Sequence, residues 1–344
     1  MPLAAEGSHL KSPTREASLY DLSIVIVSFN TRDVLRCCLE HLYEAKSTLA
    51  LEIIVVDNAS KDGTVQMLAD EYPEVRVICS DSNLGFAGAN NRALTEAQGR
   101  YFVLLNSDAF LPPDALQLAV EHMDHNPQVG LGGGRLVGRD GDWQPSARTF
   151  PGVVDALFTM SGLSTKYAKS RIFGRADRTF SDPMIPAEVD WVPGAFSIIR
   201  PEILKEVGLF DEQFFLYYEE VDLCRRIKEC GHKIMYWPDI QVVHLGGESS
   251  KTVPEAIMSK AGSQLTLWRM RSELLYHRKH GGSIGVFLAY HVECLWHRVR
   301  RLRNLMQAKS DSSAKAAESR TVIELKKRAW KETDGGRISP PRPW

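Results

Sequence analysis

Four short apolar runs constrain this chain more than any other feature. Ile24-Val25-Ile26-Val27, Ile53-Ile54-Val55-Val56 and Tyr101-Phe102-Val103-Leu104-Leu105 carry no polar residue, and Val75-Arg76-Val77-Ile78 completes the set. A strand with one wet face alternates polar and apolar residues, whereas a strand covered on both faces reads as an unbroken apolar run. These runs therefore predict buried strands of a parallel sheet. Helical patterns fall between and after them, over 32–43, 64–71, 87–98 (stopped by Gly99) and 114–125. The order βαβαβαβ predicts an α/β fold, a mostly parallel central sheet flanked by helices and joined by right-handed crossovers.

In such sheets ligands collect at the carboxyl ends of the strands. Three strands end there in polar or acidic runs: Ser28-Phe29-Asn30, Asp57-Asn58-Ala59-Ser60 and Asn106-Ser107-Asp108. Loops after strands are commonly polar, so one run alone says little; three together point to a site. After about residue 135 the pattern loosens, and 136–188 reads as a long surface insertion or a lid. Order returns with strands at 189–192 and 195–199, a helix over 219–230, and short strands at 234–237 and 241–244. From 254 to 307 the chain reads as helical and increasingly basic. Residues 1–20 read as a flexible tail and 309–344 as a disordered one, both rich in Ser, Ala, Lys, Glu and Pro.

Composition narrows the function. Lys+Arg is 42 and Asp+Glu is 43, for a net charge of -1, which argues against nucleic acid as a partner. The six cysteines form no CxxC pair and read as free thiols in a reducing cytosol. Residues 1–20 lack the apolar core of a signal peptide. The longest apolar stretches, 22–29 and 284–290, fall short of the roughly 20 residues that span a bilayer.

Four constellations can carry chemistry. Asp57 and Asp108 each follow a buried strand, where a carboxylate can accept from a nucleobase or ribose or bind a divalent cation on phosphates. Each could instead cap a helix, although Asp62 or Ser60 can do that after Asp57. Asn83-Leu84-Gly85-Phe86-Ala87-Gly88-Ala89-Asn90-Asn91 allows close backbone approach and offers helix N–H groups to phosphate. It is neither GxGxxG nor a P-loop, which argues against a dehydrogenase or an NTPase. Tyr217-Tyr218-Glu219-Glu220-Val221-Asp222 puts three carboxylates at a helix start between aromatic and apolar neighbours. Such a run is either a solvated charged face or a site in which the helix dipole keeps a general base ionised. His244, after Val242-Val243, is structural or a ligand.

Taken in order, these motifs resemble the inverting family-2 glycosyltransferases of the GT-A fold, and within them the rhamnosyltransferases of bacterial surface-polysaccharide assembly. The matching residues are Ile26-Val27-Ser28-Phe29-Asn30, Val55 to Thr64, Asn83 to Asn90, Leu104-Leu105-Asn106-Ser107-Asp108, Gly194-Ala195-Phe196, Tyr218 to Arg226 and Val243-His244. The resemblance implies transfer of a sugar, first of all rhamnose from dTDP-rhamnose, from a nucleoside diphosphate to a hydroxyl of a glycan or lipid-linked acceptor. It implies a divalent cation, Mg²⁺ or Mn²⁺, on Asp108 and His244, the imidazole favouring Mn²⁺. Ser28, Asn30 and Asp57 would hold the nucleoside, with Asn83, Gly85, Asn90, Asn106 and Ser107 also lining the donor site. Glu220 would be the base, supported by Glu219 and Asp222. The first acid of the family's DxD motif is here an amide, Asn106, and its ED motif reads Glu219-Glu220.

The resemblance divides the chain into a nucleotide-sugar half over 21–135, an acceptor half over 136–248 and a helical extension over 249–308. Other donors (galactofuranosyl or glucosyl) and a non-catalytic glycan-binding GT-A scaffold remain as alternatives. Trp296, His297, Arg298, Arg300, Arg301 and Arg303, beside the apolar 284–290 run, suggest peripheral attachment to an anionic membrane surface at the inner face of the cell membrane. Packing of these helices on the catalytic domain or on a second subunit is the competing expectation. The sequence leaves the oligomeric state open.

Overall fold

The computed structural model describes residues 18–45, 48–246, 261–307 and 312–341. The expected tail over 1–20 lies outside the described residues up to residue 17, as does 249–260 of the expected helical extension. The first half alternates as the sequence predicts: β1 (Tyr20–Ser28), α1 (Arg32–Glu44), β2 (Leu51–Asp57), α2 (Thr64–Glu71), β3 (Arg76–Cys79), α3 (Gly85–Leu94) and β4 (Gly99–Asn106). Then come β5 (Ala109–Phe110), α4 (Ala115–His125), β6 (Val129–Val137), β7 (Trp143–Gln144), α5 (Val153–Met160), α6 (Leu163–Lys166) and β8 (Ala187–Val189). β9 (Phe196–Ile199), α7 (Pro201–Val207), α8 (Glu219–Glu229), β10 (Lys233–His244), α9 (Ala261–Leu305) and α10 (Ser312–Glu332) complete the order.

Among the described residues, all ten strands join one sheet, ordered β3-β2-β1-β4-β9-β6-β10-β5, with β7 on β6 and β8 on β10. It is parallel across β3-β2-β1-β4 and across β6-β10. β9 runs antiparallel between β4 and β6, which makes the sheet mixed. The apolar runs of β1, β2 and β4 are buried on both faces, whereas β3, expected to be buried, is the edge strand and is exposed at Arg76 and Cys79. Ile24 and Ile26 of β1 enter one core with Leu35, Leu39 and Leu42 of α1. Val25 enters the other with Ala89 and Ala93 of α3 and Ile227 of α8. This period-2 division is why the central run of β1, Ile24 to Val27, is apolar on both faces.

Three differences from the sequence reading have physical causes. β6 is a central strand although its sequence is Val-Gly-Leu-Gly-Gly-Gly-Arg-Leu-Val. A Cβ on Gly132 would meet the Trp237 ring at 1.9 Å, and one on Gly133 would meet Val192 at 2.7 Å. The glycines make room for Trp237 of β10 and for Val192 between β8 and β9, so low β-propensity hides the strand. The division expected at 135/136 falls inside it. Second, 234–237 and 241–244 form a single strand, β10, with a register shift between Trp237 and Gln241.

The third difference is a correction. The tail expected to be disordered over 309–344 instead forms α10, followed by turns as far as residue 341. Its inward face is Ala316, Ser319, Ile323, Lys326 and Ala329, a helical stripe of mainly small and polar residues that reads as solvated sequence. Lys326 is fully buried and binds Glu273 of α9 at 2.7 Å, and also Glu293. Burial would lower the Lys326 pKa, but the two carboxyl groups outweigh it and raise it. α9 itself is broken at Gly282, where φ is 62°. Among the described residues, no helix is long and apolar enough to cross a membrane.

Candidate active site

The parallel registers bring the expected residues to one sheet edge. Ser28 pairs with Asp57, Asp57 with Cys79, and Val27 with Asn106. The loops beyond are tied to each other. Asn30, at φ 50°, donates its N–H to Ser60 Oγ at 2.9 Å and accepts from Lys61 N–H at 2.7 Å. Ser28 Oγ, Thr31 Oγ1 and Ser107 Oγ form a buried hydroxyl chain with contacts of 3.0 and 3.1 Å. Thr31, absent from the sequence reading, is the link in that chain.

Asp57 is 3% exposed. Its Oδ2 accepts the Ser60 N–H at 3.0 Å, while Oδ1 is buried with no partner among the described residues. Capping falls to Asp62, which accepts from Thr64 N–H at the start of α2 and from Arg32 N–H at the start of α1. A buried carboxylate oxygen without a donor is costly, so Asp57 Oδ1 suits an incoming N–H.

Asp108 and His244 meet because β5 pairs antiparallel with the end of β10, setting Ala109 opposite His244. Asp108 Oδ1 and His244 Nε2 are 3.4 Å apart, and Asn106 Nδ2 is also 3.4 Å from that nitrogen. Gln144 of β7 fixes the ring. Its Nε2 donates to the His244 carbonyl at 2.9 Å, which leaves Oε1 to accept from Nδ1 at 2.9 Å. The Nδ1–H tautomer follows, so the Nε2 lone pair points toward Asp108. One carboxylate and one oriented imidazole fit a divalent cation whose other ligands come from phosphate oxygens and water. Among the described residues no third His, Cys, Asp or Glu joins them. Gln144 lies in the stretch read as an insertion, and no sequence signal marks it.

The Asn83–Asn90 motif serves the scaffold. Asn83 Oδ1 accepts from Asn58 Nδ2 at 2.8 Å and from Gly85 N–H at 2.9 Å. Asn90 Nδ2 donates to the Phe86 carbonyl. Gly85 has φ +74°, and a Cβ there would lie 2.1 Å from the Phe215 carbonyl oxygen. That carbonyl accepts the Phe86 N–H at 3.0 Å. Gly85 therefore admits the loop before α8, and of the N–H groups at the start of α3, those of Leu84, Gly85 and Phe86 are already taken by Asn58, Asn83 and Phe215.

The same loop carries the acidic run. Tyr217 and Tyr218 both adopt left-handed backbone, φ 69° and 71°, which costs of order 1–3 kcal/mol for each bulky residue. The first limb of α9 holds it in place. Ser272 Oγ donates to the Leu216 carbonyl at 2.8 Å, and the Trp268 and Tyr276 rings pack on Phe215 and Tyr218.

Glu219, Glu220 and Asp222 then separate. Asp222, expected to support the base, faces α9 instead. It is fully buried and binds His280 at 2.7 Å, Lys279 at 2.8 Å and Arg226 at 2.9 Å. Burial would raise its carboxyl, but hydrogen bonds from His280 and Lys279 and the Arg226 charge hold it below the usual value. Both oxygens are taken, which leaves Asp222 a structural role.

Glu219 and Glu220 lie within hydrogen-bonding reach of each other. No other described N–H or hydroxyl reaches either buried Oε2. Burial, then the Glu220 charge, pushes Glu219 well above the carboxylate range. Burial also raises Glu220, opposed by its own backbone N–H, by the Glu219 hydrogen bond and by Arg148. Burial therefore works against the helix dipole at Glu219 and Glu220, whereas Asp222 is held below its usual value. Burial thus favours the protonated form more strongly at Glu219 than at Glu220. Arg148, stacked on Trp191 and paired with Asp177, is a further site residue that the sequence does not announce.

Comparison with known proteins places this geometry. The family model described as "Glycosyl transferase family 2" matches residues 23–208. N-acetylglucosaminyl-diphospho-decaprenol L-rhamnosyltransferase of Mycobacterium tuberculosis is 27% identical over 225 residues, covering 59% of this chain and 69% of that protein. Rhamnosyltransferase WbbL of Escherichia coli K12 is 27% identical over 268 residues, covering 74% and 91%. A mannosyltransferase from Pyrobaculum calidifontis, solved with GDP-Man and Mn²⁺, superposes with a TM-score of 0.51 at 16% identity over 91% of this chain and 88% of that one. At that identity the likeness shows the fold, which is of the GT-A type.

Proposed function

Since the chain belongs to glycosyl transferase family 2 and resembles its rhamnosyltransferases, we propose that it moves rhamnose from dTDP-rhamnose to a hydroxyl of a glycan or lipid-linked acceptor, with inversion, in surface-polysaccharide synthesis. The observation that carries the reading is the set of groups left poised at the carboxyl edge: Asp57 Oδ1 without a donor, His244 Nε2 turned to Asp108, and the buried carboxyl pair of Glu219 and Glu220. The names of the two relatives, one of them acting on a diphospho-decaprenol acceptor, support rhamnose and a lipid carrier.

In this reading Asp57 Oδ1 accepts an N–H from the edge of the base, such as that of thymine. Asp108 and His244 would hold a divalent cation, which when bound supplies positive charge to the diphosphate leaving group. Glu220 accepts the proton of the acceptor hydroxyl as the new glycosidic C–O bond forms and the anomeric carbon–phosphate oxygen bond breaks. The nucleoside diphosphate departs with the electron pair, and attack opposite to it inverts the anomeric centre. Burial helps here: a carboxylate whose pKa lies above the usual range is a stronger base and nearer the working pH.

The test is a donor panel. Purified full-length chain is mixed with dTDP-rhamnose, UDP-galactofuranose, UDP-glucose and GDP-mannose, a polyprenyl-diphosphate sugar acceptor and Mn²⁺ or Mg²⁺, and released nucleoside diphosphate is measured. Acceptor-dependent release from dTDP-rhamnose, reduced by Glu220→Gln, is expected. Preferential use of another donor would replace the rhamnose assignment, and no release from any donor would favour a binding scaffold.

A further inference from the structure

The second limb of α9, after the break at Gly282, has an apolar face that nothing in the described chain covers. Ile284, Leu288, Leu295, Val299, Leu302 and Met306 are 75%, 44%, 59%, 55%, 62% and 80% exposed. Their spacing of three, four and seven residues places them on one side of a helix. The limb from 283 to 305 is about 35 Å long at 1.5 Å per residue. A continuous stripe of that length on a free surface marks a docking face.

Charge selects the occupant. Of the basic residues that the sequence groups together, Arg300 pairs with Glu318 and His297 is buried. Arg298, Arg301 and Arg303 are exposed and have no ion-pair partner among the described residues. At 100° per residue, Arg298 falls within the stripe, and Arg301 and Arg303 fall on its two sides. The limb's single acid, Glu293, turns away to Lys326. The outer face is therefore apolar with an arginine border and carries no negative charge. A second copy of the same face would bring arginines together, whereas an anionic bilayer complements both features. We infer that this limb lies in the plane of an anionic membrane surface, its apolar stripe in the headgroup–acyl boundary and Arg298, Arg301 and Arg303 on lipid phosphates. The inference stands apart from the donor and acceptor assignments and is read without either.

The experiment is co-sedimentation of the full chain with phosphatidylcholine vesicles and with mixed phosphatidylcholine–phosphatidylglycerol vesicles, alongside sedimentation velocity without lipid. Binding to mixed vesicles, weakened by salt, is expected. Leu295→Ser with Leu302→Ser should reduce it more than tenfold, and both positions are exposed, so circular dichroism should be unchanged. Arg298→Gln, Arg301→Gln and Arg303→Gln together should reduce the preference for anionic vesicles by about a hundredfold, roughly fivefold per arginine. Equal binding of wild type and both variants, or no binding by wild type, overturns the inference. A dimer that the leucine substitutions dissociate, without vesicle binding, assigns the stripe to a second copy and also overturns it.

Discussion

Glu219 and Glu220 can be told apart by three substitutions. Glu220→Gln keeps the shape and removes the basicity. A positioned base contributes about 10²–10⁴-fold, so kcat should fall by that factor while donor affinity survives. Glu219→Gln puts an amide donor beside Glu220, so the acid limb of the pH profile should stay in place. Glu219→Ala leaves no donor there. A hydrogen bond to a charged group contributes about 1.5–3 kcal/mol, and one pH unit corresponds to about 1.4 kcal/mol. The Glu220 pKa should therefore rise by about one to two units in this buried site. The base works only when ionised, so activity falls as pH drops through its pKa. The wild-type acid limb should lie above the ordinary glutamate value, since burial raises Glu220, and the limb of Glu219→Ala should lie higher again. The assay is kcat/KM against pH by release of nucleoside diphosphate. If Glu219→Gln is inactive and Glu220→Gln is not, the roles are exchanged. If the acid limb stays put in Glu219→Ala, the hydrogen bond does not tune the base.

Three further outcomes follow from the packing. Gln144→Leu frees the His244 ring and should raise the Mn²⁺ concentration needed for half-maximal activity about 10–100-fold; an unchanged metal titration would show that Gln144 does not orient a ligand. Asp222→Asn should destabilise the chain by about 3–5 kcal/mol, the cost of breaking a buried pair, and lower the thermal midpoint. A stable but inactive Asp222→Asn would restore Asp222 as the base. Lys326→Met leaves Glu273 and Glu293 buried without their cation, and proteolysis between α9 and α10 should become faster; unaltered cleavage would mean that the buried pair does not hold α10.

The first half of the sheet was legible because burial on both faces of β1, β2 and β4 writes apolar runs directly into the sequence, and their carboxyl ends stand out against them. Asp57 and Asp108 could be picked out for that reason, and His244 by the family resemblance. β6 stayed hidden because its glycines are dictated by Trp237 and Val192, residues distant in sequence. Gln144 and Arg148 were invisible for the same reason: their roles come from pairing and stacking across the sheet. α10 was misread because its inward stripe is small and polar. The acidic run stands out in the sequence, but the burial of Glu219 and Glu220 does not, since it depends on a loop braced from α9.

The most direct measurement is proton NMR of the anomeric signals during turnover. Metal-stripped protein is mixed with dTDP-rhamnose and acceptor, and Mn²⁺ at a low, line-broadening-tolerant level, or Mg²⁺, is then added. The account predicts no change before the cation. After it, donor signal should be lost and a glycoside of opposite anomeric configuration should appear. Turnover before the addition, or a product that retains the donor's configuration, would contradict it.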